Sequence, residues 1–249
     1  MTGIEALSVY LVVGQNDCLL PPIDVVQQAL EAGVRTVQLR EKKGNMREII
    51  QFGREIRRLT REYDAILFVN DRYDLAQILE ADGIHIGQDD IPIEEIRRLS
   101  PPTFKIGVSA RTIEEAIRAE QDGADYLGMG AIYSTATKED AKTIGLEGLK
   151  VIRRRISIPI IAIGGIQKEH IGEIALSGAD GIAVVSAITK SKDPFRSAKY
   201  LINEWGEKDE VEYKDINVDV DACSNRYSNF YNGMVSSWDS KSLSNATCD

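Results

Sequence analysis

Residues 158–188 read IPIIAIGGIQKEHIGEIALSGADGIAVVSAI. Two β-branched runs, IPIIAIGG and DGIAVVS, flank a segment of helical pattern. Both runs are almost continuously apolar, as strands become when helices cover a parallel sheet. A Gly-Ala pair at 178–179 ends the helical segment and leads into the second run. The stretch therefore reads as one strand-helix-strand unit.

The same unit recurs toward the N-terminus. Earlier strand candidates are LSVYLVV, TVQLRE, AILFVN, GIHIG, FKIGVS and ADYLGMG, which brings the count to eight. Amphipathic stretches such as IDVVQQALEAG, MREIIQFGREIRRLTREY, IEEAIRAEQDG and EGLKVIRRRIS lie between them. One turn is reused before several strands, at Gly33, Asp82-Gly83, Gly123-Ala124 and Gly178-Ala179. Eight such units with short connections predict a closed (β/α)8 barrel, the TIM barrel, in one domain over residues 1–206. An open doubly wound sheet would call for a GxGxxG turn after the first strand, and LVVGQNDCLL lacks it. The last helix is expected over Pro194 to Trp205. Residues 207–249 hold nine acids and four bases, are rich in Ser, Asn and Asp, and have little amphipathic period. They read as an acidic, flexible extension outside the barrel.

Composition narrows the function classes. The chain has 249 residues, 43% hydrophobic and 28% charged, close to the usual size of one α/β barrel. No run approaches the ~18 apolar residues of a membrane span, and the first residues lack a signal-peptide pattern, so a cytoplasmic protein is expected. A net charge of −9 argues against nucleic acid held by a general basic field, but not against local binding of phosphate. Cys18, Cys223 and Cys248 have no metal-ligand spacing and read as free thiols.

In such barrels the chemistry sits at the C-terminal ends of the strands, so polar residues just after each strand are the candidates. After the second strand, alternation puts Gln38, Arg40 and Lys42 on one side, an expected wall for an anion. The third strand ends at Asn70-Asp71 and the fourth at Gln88-Asp89-Asp90. Carboxylates on neighbouring strand tops repel unless a cation such as Mg²⁺ joins them. Asp90 has a competing reading as the N-cap of IPIEEIRRL, with Pro92 in its first turn. Ser109 follows the fifth strand without a His-Asp partner in sequence and reads as a hydrogen-bond donor, while Thr112 caps the next helix. The loop after the sixth strand offers Thr135, Thr137 and Lys138. Gly164-Gly165 and Val185-Ser186 follow the seventh and eighth strands, the common place for phosphate in barrels. His85, inside an apolar strand, and His170, inside a helix pattern, read as structural.

Taken in order, QLREK (38–42), VNDR (69–72), DGIHIGQDD (82–90), IGVSART (106–112), GADYLGMGAIYSTATKEDA (123–141), IPIIAIGGI (158–166) and GADGIAVVSAI (178–188) resemble the thiamine-phosphate synthase family, also called thiamine-phosphate pyrophosphorylase. The resemblance covers roughly residues 5–205. It implies a transferase that joins 4-amino-2-methyl-5-hydroxymethylpyrimidine diphosphate to 4-methyl-5-(2-hydroxyethyl)thiazole phosphate with release of pyrophosphate. By the family pattern Asp71 and Asp90 hold Mg²⁺. Gln38, Arg40, Lys42, Asn70, Ser109 and Lys138 then hold the pyrimidine diphosphate, with Arg40, Ser109 and Lys138 acting in catalysis. Thr135, Thr137, Gly165, Val185 and Ser186 hold the thiazole phosphate. Arg111 departs from the pattern, since many relatives carry histidine there. The partners are thus small molecules, with no nucleic acid or membrane, and a homo-oligomer is left open. Two other readings remain at this point: a thiazole tautomerase-like barrel, and a non-catalytic barrel that binds thiamine precursors.

Overall fold

The computed structural model of the chain describes residues 4–134 and 143–215. After a 3₁₀ turn at Ile4–Leu7, strands and helices alternate. The order is β1 (Val9–Val13), α1 (Pro22–Ala32), β2 (Thr36–Leu39), α2 (Met46–Glu62), β3 (Ile66–Asn70), α3 (Tyr73–Ile78), β4 (Gly83–Ile86) and α4 (Ile93–Leu99). Then come β5 (Lys105–Ala110), α5 (Ile113–Gln121), β6 (Tyr126–Met129), α6 (Gly145–Arg153), β7 (Ile160–Ile163), α7 (Ile171–Leu176), β8 (Gly181–Val184), α8 (Ser186–Thr189) and α9 (Pro194–Asp215). The eight strands are parallel and close into a barrel in sequence order, with β1 paired to β8. The expected fold is therefore the observed one.

The nearly unbroken apolar character of the strands has a direct cause, because successive residues face two different cores. Outward residues such as Leu11, Val37, Leu67, Ile106 and Ile182 join the helices in one large cluster. Inward residues, among them Tyr10, Val12, Phe68, Tyr126 and Ile161, form a second, smaller cluster inside the barrel. The inner core fits large against small: a Cβ on Gly107 would collide with the Tyr126 ring, and one on Gly128 would meet the His85 imidazole.

Helix ends follow local chemistry. Asn45 starts α2 by accepting from the Arg47 N–H at 2.9 Å. Thr112 caps α5 as expected, accepting from Glu115 N–H at 3.2 Å. Gly33, at φ +116°, ends α1 in the left-handed conformation. Helix α9 packs on α1 and α7 and runs on to Asp215, ten residues beyond Trp205. The composition change at 207 thus does not coincide with the end of regular backbone. Among the described residues no helix is long and apolar enough to cross a membrane.

The recurring turn does more than redirect the chain. Its Asp82, Asp125 and Asp180 pair with Arg57, Arg97 and Arg153, which lie on α2, α4 and α6. Each aspartate also accepts the backbone N–H of the preceding strand, from Leu67, Ile106 and Ile160 at 2.7–2.8 Å. The ion pairs are largely shielded, with Arg153 and Asp180 each 15% exposed. These three clamps sit where strands begin, at the face opposite the candidate residues, which is the stabilising end of such barrels.

Candidate active site

The strand tops open into one pocket. Gln38, Arg40, Asn70 and Ser109 line it on one side, and Gly164, Gly165, Val185 and Ser186 line it on another. Gln38 is buried and its Nε2 donates to Tyr10 Oη at 2.9 Å. The alternation that paired Gln38 with Arg40 thus places both on the pocket wall. Arg111 lines the same pocket. Its backbone N–H is held by the Glu115 carboxylate at 2.6 Å.

At the rim beside β3 and β4, Asp71 adopts φ +58°, unusual for a residue with a side chain. Its N–H donates to the His85 carbonyl at 2.8 Å, which ties the turn after β3 to β4. The Asp71 carboxyl is pushed above the ordinary carboxylate range by burial and then by the Asp90 carboxyl hydrogen-bonded beside it, while Lys42 opposes the shift. Lys42 Nζ lies 3.7 Å from Asp71 Oδ2. Asp90 is not the helix cap: Pro92 occupies the N-cap of α4 and offers no side-chain bond there. The Asp90 carboxylate instead accepts Gly87 N–H at 2.6 Å, which aims it back at the strand top. Two adjacent hard oxygen donors, one destabilised as an anion by the other, suit a hard divalent cation. Among the described residues no group of three or more His, Cys, Asp or Glu converges.

On the other side of the pocket Gly164 and Gly165 take φ +102° and +66°. Their place also demands the missing side chain, because a Cβ on Gly165 would lie 2.5 Å from the Ser134 carbonyl oxygen. The loop after β6 therefore rests directly on the glycine pair, with Tyr133 N–H donating to the Gly164 carbonyl at 3.0 Å. Tyr133 also stacks on His170, with ring centres 3.8 Å apart and 19° between planes. The short helix α8 begins at Ser186, directly after Val185. Thr135, Thr137 and Lys138 lie outside the described residues. Cys18 is a free thiol whose pKa burial raises to about 11.

Sequence reasoning missed the floor of the pocket. His85, read as a structural residue of an apolar strand, points inward and bonds Ser109 Oγ through Nε2 at 2.8 Å. Its Nδ1 meets Tyr126 Oη at 2.9 Å, and Tyr126 Oη meets Tyr10 Oη at 3.0 Å. Gln88 adds a bond from Nε2 to the Ser109 carbonyl at 2.7 Å. The available signal was alternation: His85 lies in register with Asn70 and Gly107, both inward positions. Burial raises the pKa of both Tyr10 and Tyr126, so both hydroxyls stay protonated.

The chain is similar in sequence and in fold to known proteins. Residues 9–188 match a family model described as thiamine monophosphate synthase. A thiamine-phosphate synthase of Pyrococcus horikoshii is 47% identical over 197 residues, spanning 79% of this chain and 94% of the relative. One from Methanococcus vannielii is 50% identical over 176 residues, spanning 71% and 85%. The solved thiamine phosphate pyrophosphorylase of Pyrococcus furiosus superposes with a TM-score of 0.76 at 40% identity, covering 82% of this chain and 98% of its own.

Proposed function

The chain belongs to the thiamine monophosphate synthase family, and we propose that it joins 4-amino-2-methyl-5-hydroxymethylpyrimidine diphosphate to 4-methyl-5-(2-hydroxyethyl)thiazole phosphate, releasing pyrophosphate and thiamine monophosphate. It is an enzyme of the transferase class, as its curated relatives are. The observation that carries the reading is one pocket with two ends suited to anions. Arg40, Asn70 and Ser109 line one side, the glycine pair and Val185-Ser186 the other.

In this reading the diphosphate lies against Gln38, Arg40, Lys42, Asn70 and Ser109, and the family pattern adds Lys138 to its binding. Asp71 and Asp90 would hold Mg²⁺, whose chemistry is to neutralise charge on the diphosphate. The C–O bond between the pyrimidine methylene and the diphosphate breaks, and its electron pair leaves with pyrophosphate. Arg40 and Ser109 stabilise that growing charge as it forms. The amino-substituted ring spreads the positive charge left on the methylene. The thiazole nitrogen then donates its lone pair to that carbon, and the new C–N bond completes the product. Gly165, Val185 and Ser186, with Thr135 and Thr137, hold the thiazole phosphate so that nitrogen and carbon are already close. No side chain has to act as a nucleophile, in keeping with a site that lacks a triad among its described residues.

The test is direct. The purified chain, both substrates and Mg²⁺ should yield thiamine monophosphate and pyrophosphate in equal amounts, and EDTA should abolish both. Folded protein that makes neither product would overturn the reading. Proton exchange on the thiazole without condensation would favour the tautomerase-like alternative.

A further inference from the structure

A buried chain of hydrogen bonds crosses the barrel interior and ends on Ser109. It runs from Gln38 on β2 to Tyr10 on β1, Tyr126 on β6 and His85 on β4 before reaching Ser109 on β5. Every link is 2.8–3.0 Å. Tyr10 and Tyr126 are at most 1% exposed and His85 is 8% exposed. Such a network has a direction, because each hydroxyl carries one hydrogen and each neutral imidazole one N–H.

The direction is set at the Gln38 end. An amide nitrogen only donates, so Tyr10 Oη accepts there, and the neighbour within reach of its own buried hydrogen is Tyr126 Oη, to which donation leaves both groups satisfied. Tyr126, already accepting, places its hydrogen on His85 Nδ1. That nitrogen is then the acceptor of the imidazole, and the proton resides on Nε2. Nε2–H donates to Ser109 Oγ, which leaves the serine hydrogen to point into the pocket. We infer that Tyr126 and His85 are positioning residues which, through one fixed histidine tautomer, hold the Ser109 hydroxyl as a donor toward the bound diphosphate. The inference rests on the proposed reaction for its consequence, but the tautomer stands independently of it.

The opposite tautomer shows why direction matters. With the proton on Nδ1, Nε2 would demand the serine hydrogen, and Ser109 would present only lone pairs to an anionic leaving group. Gly128 leaves room for the imidazole here, since a Cβ at that position would lie 2.7 Å from the ring. The serine is thus oriented by residues that need not touch substrate.

The test uses the full chain labelled with ¹⁵N. With two histidines in the sequence, long-range proton–nitrogen spectra at neutral pH resolve both rings, and His85→Gln assigns them. The expected result is an unprotonated Nδ1 and a protonated Nε2 on His85 in the wild type. In Tyr126→Phe that preference should be lost. Single-turnover pyrophosphate release should then fall about tenfold, less than the ~10²–10³ of deleting a transition-state donor outright. KM for the pyrimidine diphosphate should stay within about twofold, as for a group that acts on the transition state rather than on ground-state binding. Adding Tyr126→Phe to Ser109→Ala should cost nothing further, because the two act through one donor. A wild-type His85 protonated on Nδ1, or additive losses in the double variant, would overturn the inference. The wild-type spectrum decides even where Tyr126→Phe fails to fold. A chain that makes no thiamine monophosphate would instead count against the proposed function, and the spectrum would still read the tautomer.

Discussion

Replacing Gly165 by alanine tests the thiazole-phosphate side of the pocket, and Gly145 supplies an internal control. Both glycines sit at φ +66°. They therefore share the same backbone penalty for an added side chain, about 1–2 kcal/mol. Their surroundings differ. Among the described residues a Cβ on Gly145 would meet nothing within 4 Å, whereas one on Gly165 would lie 2.5 Å from the Ser134 oxygen and 2.8 Å from Tyr133 Cβ. Those neighbours are backbone and the root of a side chain, so the β6 loop itself must move, adding about 1–3 kcal/mol. Gly145→Ala should lose about 1–2 kcal/mol of unfolding free energy and Gly165→Ala about 2–5 kcal/mol, at an unchanged urea m-value. Because the displaced loop rests on the proposed phosphate site, Gly165→Ala should also raise KM for the thiazole phosphate about tenfold, the loss of one charge-assisted hydrogen bond. KM for the pyrimidine diphosphate should hardly change. Equal stability losses in the two variants would refute the steric argument. A rise confined to the pyrimidine diphosphate would refute the assignment of the two ends.

Other outcomes follow from the same geometry. Ser109→Ala should lower single-turnover cleavage by about 10²–10³ while KM moves little. Asp71→Asn should raise the Mg²⁺ concentration for half-maximal rate beyond the ~10-fold typical of losing a residue that only supports a metal ligand. Asp180→Ala should cost about 3 kcal/mol in chemical denaturation, since it strands a shielded arginine and a strand N–H. Asp82→Ala should cost less, because Asp82 is 33% exposed against 15% for Asp180. Cys18, with a pKa near 11, should resist alkylation at pH 8 more than an ordinary thiol peptide does. Its raised value favours the protonated thiol in the fold, so its contribution to stability is full below the ordinary thiol range and disappears as pH rises through about 11.

The fold was legible because it repeats. Eight apolar runs faced by helices leave few architectures, and the turn residues that recur mark the period. Arg40 beside Gln38 and Asp71 near Asp90 were legible for a local reason: each pair lies on one strand top or on adjacent ones. The relay to Ser109 was not, because its members meet across the barrel, Tyr10 and Tyr126 being 116 positions apart. A histidine between two isoleucines reads as core until the register of β4 against β3 and β5 shows which way it faces. The competing cap role of Asp90 failed for a different reason. Pro92 takes the cap position, which frees the carboxylate to turn back to Gly87.

The three arginine–aspartate clamps have a consequence for how the chain can be divided. Each links a helix to the second strand that follows it: α2 to β4, α4 to β6 and α6 to β8. A break between β4 and α4, or between β6 and α6, severs none of them. Pieces cut there each keep whole clamps, so these connections are the natural seams for split or permuted versions of the barrel. A break within α4 to β6 would instead separate Arg97 from Asp125 and leave the reassembled barrel to recover that pair across a nick.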